Sequence, residues 1–216
     1  MSFYVQQLWR YPVKSMGGEA LERAELRPDG IAGDRLVVVH GPNGLVTART
    51  RPQLLALHAS TGDDGEALVD HMPAASEPVA RLVRLAAGKD AQLARLESTK
   101  RFDILPLLVA TDGAIRALRR DGRRLRPNIV IGGVEGLAER DWEGARLRIG
   151  DAVVRLDSLR TRCIMTTFHP DTVAQDVEVL KDISARFDGK LALNAAVERP
   201  GVIALGDAVA LVPAEA

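Results

Sequence analysis

A single cysteine, Cys163, stands in a chain of 216 residues. One thiol excludes an intramolecular disulfide and any zinc site built from several cysteines. A chain of this length buries a sizeable core without such staples. Net charge is missing too: 29 basic side chains balance 29 acidic ones. Whole-molecule charge therefore favours neither nucleic acid nor an anionic membrane, and neither partner is expected. Lysine is rare, five residues against 24 arginines, so an oddly placed lysine carries more information than any one arginine. No apolar run approaches bilayer length. The N-terminus, MSFYVQQLWRYPV, lacks the regions of a secretory signal. With no signal and no bridge, a reducing cytoplasm is the expected compartment and a monomer the default state.

Generic catalytic signatures are absent as well. No Gly-rich loop has dinucleotide or P-loop spacing, and there is no GxSxG elbow. The histidines, His40, His58, His71 and His169, show no metal-ligand spacing. Asp63 and Asp64 sit in a hairpin turn and read as solvated.

What is present is a series of short strands. FYVQQLWRY and EALERAELR alternate polar and apolar residues. RLVVVH and LVTAR flank Gly41–Gly44, and LLALHAS and EALVDH flank Gly62–Gly65, which predicts two hairpins. EPVARLVRL reads as another strand. ILPLLVA reads as a buried strand that Pro106 would demote to an edge or a bulge. NIVIGG, ARLRIG, AVVRLDSL, LALNAAVE, GVIAL and AVALV follow, with a tight turn at Gly150–Asp151. Two helices interrupt them. GAIRALRR is capped by Asp112, and VEVLKDISARF is capped by Asp176, with an apolar stripe of Val177, Leu180, Ile183 and Phe187 closed by Gly189. A soft boundary falls at 72–78, giving a β-rich N-terminal subdomain over 1–75 and a second domain over 76–216. The fold class is mainly β (α+β), with barrel-like sheets rather than βαβ units.

Three segments carry chemistry that ordinary turns do not need. RYPVKSMGG, Arg10 to Gly18, places Lys14 and Ser15 before a glycine pair, where backbone N–H groups form an anion-binding nest or simply a solvated turn. In RLRPNIVIGG, Arg126 and Asn128 bracket Pro127. That pair offers a planar fork for phosphate and an amide, or marks only the turn into a strand. In LRTRCIMTTFHPDT, Cys163 stands beside Arg162 in polar surroundings. A neighbouring guanidinium favours thiolate, which suits a metal ligand or a nucleophile; the alternative is an inert thiol.

Together YPVKS, RPNIVI and RCIMTTFHPDT resemble the signature segments of MOSC-domain proteins, in the group that contains the mitochondrial amidoxime-reducing component and its bacterial relatives. GDRLVVVHGPNGLVTAR and VERPGVIALGDAVALV are similar to that group too, so the likeness spans roughly 3–60 and 103–213. It implies a MOSC β-barrel with a smaller N-terminal barrel-like subdomain and a few short helices. It also implies a molybdenum cofactor, the metal held by a pyranopterin dithiolene. The family's metal-ligating, catalytic cysteine falls on Cys163. Its cofactor-binding positions fall on Lys14, Ser15, Arg35, Thr111, Arg126, Asn128, Thr161 and Arg162. The implied activity is reduction of N-hydroxylated or other N- or S-oxygenated small molecules. This chain carries no iron–sulfur module, so electrons are expected from a separate ferredoxin, flavodoxin or cytochrome b5-like protein.

The chain departs from the family pattern twice. His169 stands where an acidic residue is usual, and Val173 where glycine is usual, although a loop that needs positive φ would not readily accept valine. Two other readings of the resemblance stand beside the reductase. One is a cofactor or sulfur carrier with a persulfide on Cys163 and no pyridoxal phosphate. The other is a non-catalytic cofactor-binding module.

Overall fold

The computed structural model describes residues 2–214. Its strands are, in chain order, β1 (Phe3–Arg10), β2 (Glu19–Leu21), β3 (Arg23–Arg27), β4 (Gly30–Ile31), β5 (Val37–Gly41), β6 (Gly44–Val46), β7 (Ala59–Thr61), β8 (Ala67–Val69) and β9 (Met72–Pro73). Helix α1 (Glu77–Ala87) separates these from β10 (Gln92–Arg95) and β11 (Leu107–Thr111). Helix α2 (Asp112–Leu118) leads to β12 (Ile129–Gly132), β13 (Arg146–Ile149) and β14 (Ala152–Thr161). Helix α3 (Glu178–Phe187) precedes β15 (Lys190–Arg199), β16 (Gly201–Ala204) and β17 (Ala208–Val212).

Seven strands close a barrel in the order β12-β11-β15-β14-β13-β17-β1, because β12 also pairs with β1. Closure leaves no unpaired edge in the ring. Only β11 and β12 run parallel, and α2 lies in the crossover that such a pair requires. Inward residues, among them Val5, Leu8, Ile129, Ile131, Leu147, Ile149, Leu156 and Leu193, fill the interior. The inward phase of β1 jumps from Val5 to Leu8 because its pairing with β12 is irregular between Val5 and Gln7. Smaller sheets β10-β5-β6 and β7-β8-β9 pack with α1 around a second core of Val13, Met16, Val39, Leu54, Val69, Val79 and Val83. Among the described residues, no helix is long and apolar enough to cross a membrane.

Both predicted hairpins form, as β5–β6 and β7–β8. Several local expectations are corrected. EPVARLVRL is helix α1, which buries Val79, Val83 and Ala87 at four-residue spacing. Its proline sits in the first turn, where its missing N–H costs nothing. Pro106 precedes β11 rather than sitting within it, so β11 lies between β12 and β15 instead of at an edge. EALERAELR divides into β2 and β3, which join different sheets. The first leucines of LLALHAS form a 3-10 turn. Helix α2 is capped by Thr111, whose hydroxyl accepts from Ala114 N at 3.1 Å. Asp112 instead accepts from Gly133 N and Val134 N. In α3 the buried stripe is Val179, Ile183 and Phe187, and Val177 is the exposed residue just before the helix. Asp176 still accepts from Glu178 N at 3.1 Å.

Candidate functional site

An open cleft of about 780 Å³ lies where the loops of the N-terminal sheets meet one end of the barrel. Eight basic residues line it against one acidic residue, Asp103. Lys14, Ser15, Arg35, Arg126, Asn128, Thr161, Arg162 and Cys163 all line this cleft, although they are scattered over the sequence. Thr111 does not. Its hydroxyl is fully buried, accepts from Ala114 N and bonds Glu139 at 2.7 Å. It is used up in capping α2.

The loop after β1 is sharply constrained. A Cβ on Gly18 would lie 2.4 Å from the Arg10 carbonyl oxygen, so only glycine fits. Ser15, Arg35 and Arg126 all have left-handed backbones, with φ of 75°, 54° and 57°. Such conformations are costly for non-glycine residues and gather at functional sites. Lys14 Nζ donates to Arg101 O and to Asp103, both at 2.9 Å.

Tyr11 organises the next wall. Its ring faces Arg126 at 4.2 Å and Arg35 at 5.0 Å, and its hydroxyl donates to Pro127 O. Burial pushes the Tyr11 phenol up to about 12, so it stays neutral and remains a donor. Arg35 pairs with the buried Asp34 and reaches Asn128 Oδ1 at 3.3 Å. Asn128 has little left to offer a ligand: Oδ1 also accepts from Leu108 N, and Nδ2 donates to Trp9 O. It ties β1, β11 and β12 together and steadies Arg35. The Arg126 guanidinium, by contrast, finds no protein hydrogen-bond acceptor among the described residues. Burial draws it down to about 10, which leaves it cationic at neutral pH.

The far wall is the end of β14. Pairing with β15 is irregular between Leu156 and Ser158 and again between Leu159 and Thr161. These irregularities re-aim the strand end and deliver Arg160 to Cys163 into the cleft. Arg162 donates to Leu125 O at 2.8 Å, and Arg124 to Thr166 O and Thr167 O. The Nε atoms of both arginines are buried without a partner among the described residues. Burial, reinforced by the neighbouring Arg160 charge, draws Arg162 down to about 10.

Sequence motifs did not single out Arg49, Asp103, Arg160 and Asn194. Asp103 accepts from Lys14, from Arg49 at 2.6 Å and from Arg160 at 3.2 Å. Burial would raise this carboxyl, but hydrogen bonds and charge from Lys14 and Arg49 hold it well below the usual carboxylate range. Asn194 Oδ1 accepts from Arg160 at 3.0 Å. Arg160 lies three residues before the cysteine, in the same segment, which was a usable signal; Asp103 lies in no motif.

The turn after Cys163 holds both departures from the family pattern, His169 and Val173. Val173 does adopt a left-handed backbone, φ 57°, at a cost of about 1–2 kcal/mol for a residue with a Cβ. Its side chain packs partly against Ala48, Leu55 and Phe168, which offsets some of that strain. His169 Nδ1 accepts from Asp171 N and, more weakly, from Thr172 N, the work a short acidic side chain does in an Asx turn. His169 also approaches Asp121 and Asp171. Arg123 already bridges both carboxylates at 2.7 Å, so their charge is satisfied without a metal.

Residues 2–104 match the MOSC N-terminal beta barrel domain, and residues 109–210 match the MOSC domain. The cleft draws on both segments. The chain is 27% identical to mitochondrial amidoxime-reducing component 1 of Mus musculus and 28% identical to that of Homo sapiens, in each case over 96% of this chain and 82% of the relative. Among solved structures it is similar in fold to the YUAD protein from Bacillus subtilis, with a TM-score of 0.52 at 13% identity over 100% of this chain and 98% of that one. A closed β-barrel, two consecutive family segments and relatives spanning nearly the whole chain agree: this chain belongs to the MOSC-domain family.

Proposed function

We propose that the cleft holds a molybdenum–pterin cofactor with Cys163 as the protein's ligand to the metal, and that the protein reduces N-hydroxylated or other N- or S-oxygenated compounds with electrons from a separate donor protein. One observation carries this reading: the only thiol of the chain and an excess of cations share one cleft at the junction of the two family segments. When bound, the cofactor supplies the two-electron redox chemistry.

The side chains suit that group. Thiolate is a soft ligand appropriate to a metal already held by sulfur. Arg126 has free guanidinium donors, and Arg124 and Arg162 carry buried Nε donors without partners. A polyanionic ligand satisfies all three. Lys14, Ser15, Arg35 and Arg126 hold its phosphate end, with Tyr11 fixing both guanidiniums in place. Asn128 acts through Arg35. Thr161 and Arg162 set the direction of Cys163 as β14 ends. Low-dielectric walls strengthen every one of these charge contacts.

The test is expression in a host that makes the cofactor, followed by elemental analysis and fluorescence of released pterin. Near-stoichiometric molybdenum with pterin is expected, together with turnover of an N-hydroxylated amidine by an artificial electron donor. Cys163→Ala should abolish turnover. Molybdenum content and turnover untouched by that substitution would remove the ligand role.

A further inference from the structure

At the mouth of the cleft three cations converge on one carboxylate. Asp103 accepts from Lys14 Nζ at 2.9 Å, from Arg49 at 2.6 Å and from Arg160 at 3.2 Å. Arg160 is aimed by Asn194, a buried residue whose own amide is anchored on Ser158. Arg49 and Arg160 line the same cleft as Cys163, and Arg160 enters it on the same strand end, three residues before the sulfur. A carboxylate clasped by this many donors shows that the cluster has the donors to hold an oxyanion. Its tether is also short and free. Residues 103–106 lie between the 3-10 turn Thr99–Arg101 and β11, outside any strand, so Asp103 can swing away without breaking a ladder.

The alternative, a permanent structural ion pair, accounts less well for the surroundings. Asp103 is the only acidic residue lining a cleft with eight basic ones. Two further arginines there already have their own carboxylates, Asp34 for Arg35 and Asp29 for Arg101. Only Asp103 is shared among three cations, and it stands in the open mouth rather than beneath the floor. We propose that Arg49 and Arg160 form an oxyanion-binding subsite beside the Cys163 sulfur, which Asp103 fills as an internal counter-ion until a carboxylate- or phosphate-like group of a small-molecule ligand displaces it. Loss of the aspartate charge therefore strengthens anion capture, whereas loss of either arginine weakens it.

Because Cys163 is the only thiol, alkylation of cofactor-free protein reads the subsite directly. Iodoacetate is an anion, and iodoacetamide is its neutral counterpart of similar size. Both react with the same thiolate, so the ratio of their rates is independent of thiol ionisation. This ratio is expected to exceed that of glutathione. It should rise about ten-fold in Asp103→Asn and fall in Arg49→Gln and Arg160→Gln, on Coulomb grounds. Inorganic phosphate or benzoate should protect against iodoacetate more than against iodoacetamide. Protection by phosphate alone assigns the subsite to a phosphate-bearing ligand, and protection by benzoate to a carboxylate. A ratio unchanged in Asp103→Asn, or protection by neither anion, overturns the proposal. The measurement needs no molybdenum, so its failure is separable from failure of the reductase reading.

Discussion

Glu139 is fully buried beside β11 and has no cation paired with it. It bonds the Thr111 hydroxyl at 2.7 Å and accepts from Ala192 N at 2.9 Å. Ala192 itself has a left-handed backbone, φ 66°, so this carboxyl steadies a strained point of β15. Burial pushes Glu139 up from its ordinary value, and the two hydrogen bonds only partly oppose that. The sign follows from linkage. Between the ordinary and the raised value the unfolded chain binds fewer protons than the folded one. Stability therefore falls as pH rises through that window and stays lower above it. Glu139→Gln keeps both contacts, with the Thr111 hydroxyl turning to accept, and removes the ionisation. Its melting temperature should match wild type near pH 4 and exceed it at pH 8. Equal melting curves at both pH values would remove the charge argument. Glu139→Ala should instead lose about 2–4 kcal/mol near pH 4, because two buried donors lose their acceptor, and less at higher pH, since it removes the same ionisation.

At the scale of elements, α1 is the sharpest test of what sequence pattern can and cannot decide. EPVARLVRL reads either way, because Val79, Val83 and Leu85 fall on one face at two-residue spacing, interrupted by Arg81, while Val79, Val83 and the following Ala87 recur every four residues. A strand would place Val83 and Leu85 on one face. The helix buries Val83 and leaves Leu85 78% exposed. Val83→Ala should cost about 1–3 kcal/mol in denaturant melts, from lost burial plus a cavity in the second core. Leu85→Lys should cost almost nothing. Comparable losses at both positions would mean that they share a face. The hairpins at Gly41–Gly44 and Gly62–Gly65 were legible because turn chemistry is local. So were the barrel strands with unmixed apolar alternation. The cap of α2 was not, since Thr111 and Asp112 both cap well and the choice lies in the distant Gly133 and Val134 N–H groups that claim Asp112. For the same reason Asn128 reads in sequence as a ligand-facing amide, whereas its partners Trp9 and Leu108 lie far away in the chain. Lys14 and Arg126 were legible as candidate anion ligands from their neighbours, Arg35 only through motif resemblance, and Asp103 not at all, because convergence of charge is a property of closure.

At the scale of the molecule, neutrality conceals a strong internal separation of charge. The chain as a whole sums to zero, yet one cleft collects eight basic side chains. Such a site loads the empty protein with like-charge repulsion that Asp103 relieves only in part. Stability should therefore respond to anions by binding and not merely by ionic strength. Phosphate, a multivalent acceptor matched to arginine forks, should raise the melting temperature of cofactor-free protein more than sodium chloride of equal ionic strength. At about ten times the dissociation constant the linkage amounts to about 1.4 kcal/mol. For a domain of this size that is a shift of about 3–6 °C. Arg126→Gln should halve the phosphate increment or more, because its guanidinium is the cleft cation held by a ring rather than by an acceptor. Arg146→Gln serves as the control: its partner is Glu198 on the outside of the barrel, so the increment should persist. If chloride and phosphate shift the melt equally in wild type, the cleft does not bind anions as a site and the charge separation acts only through general screening.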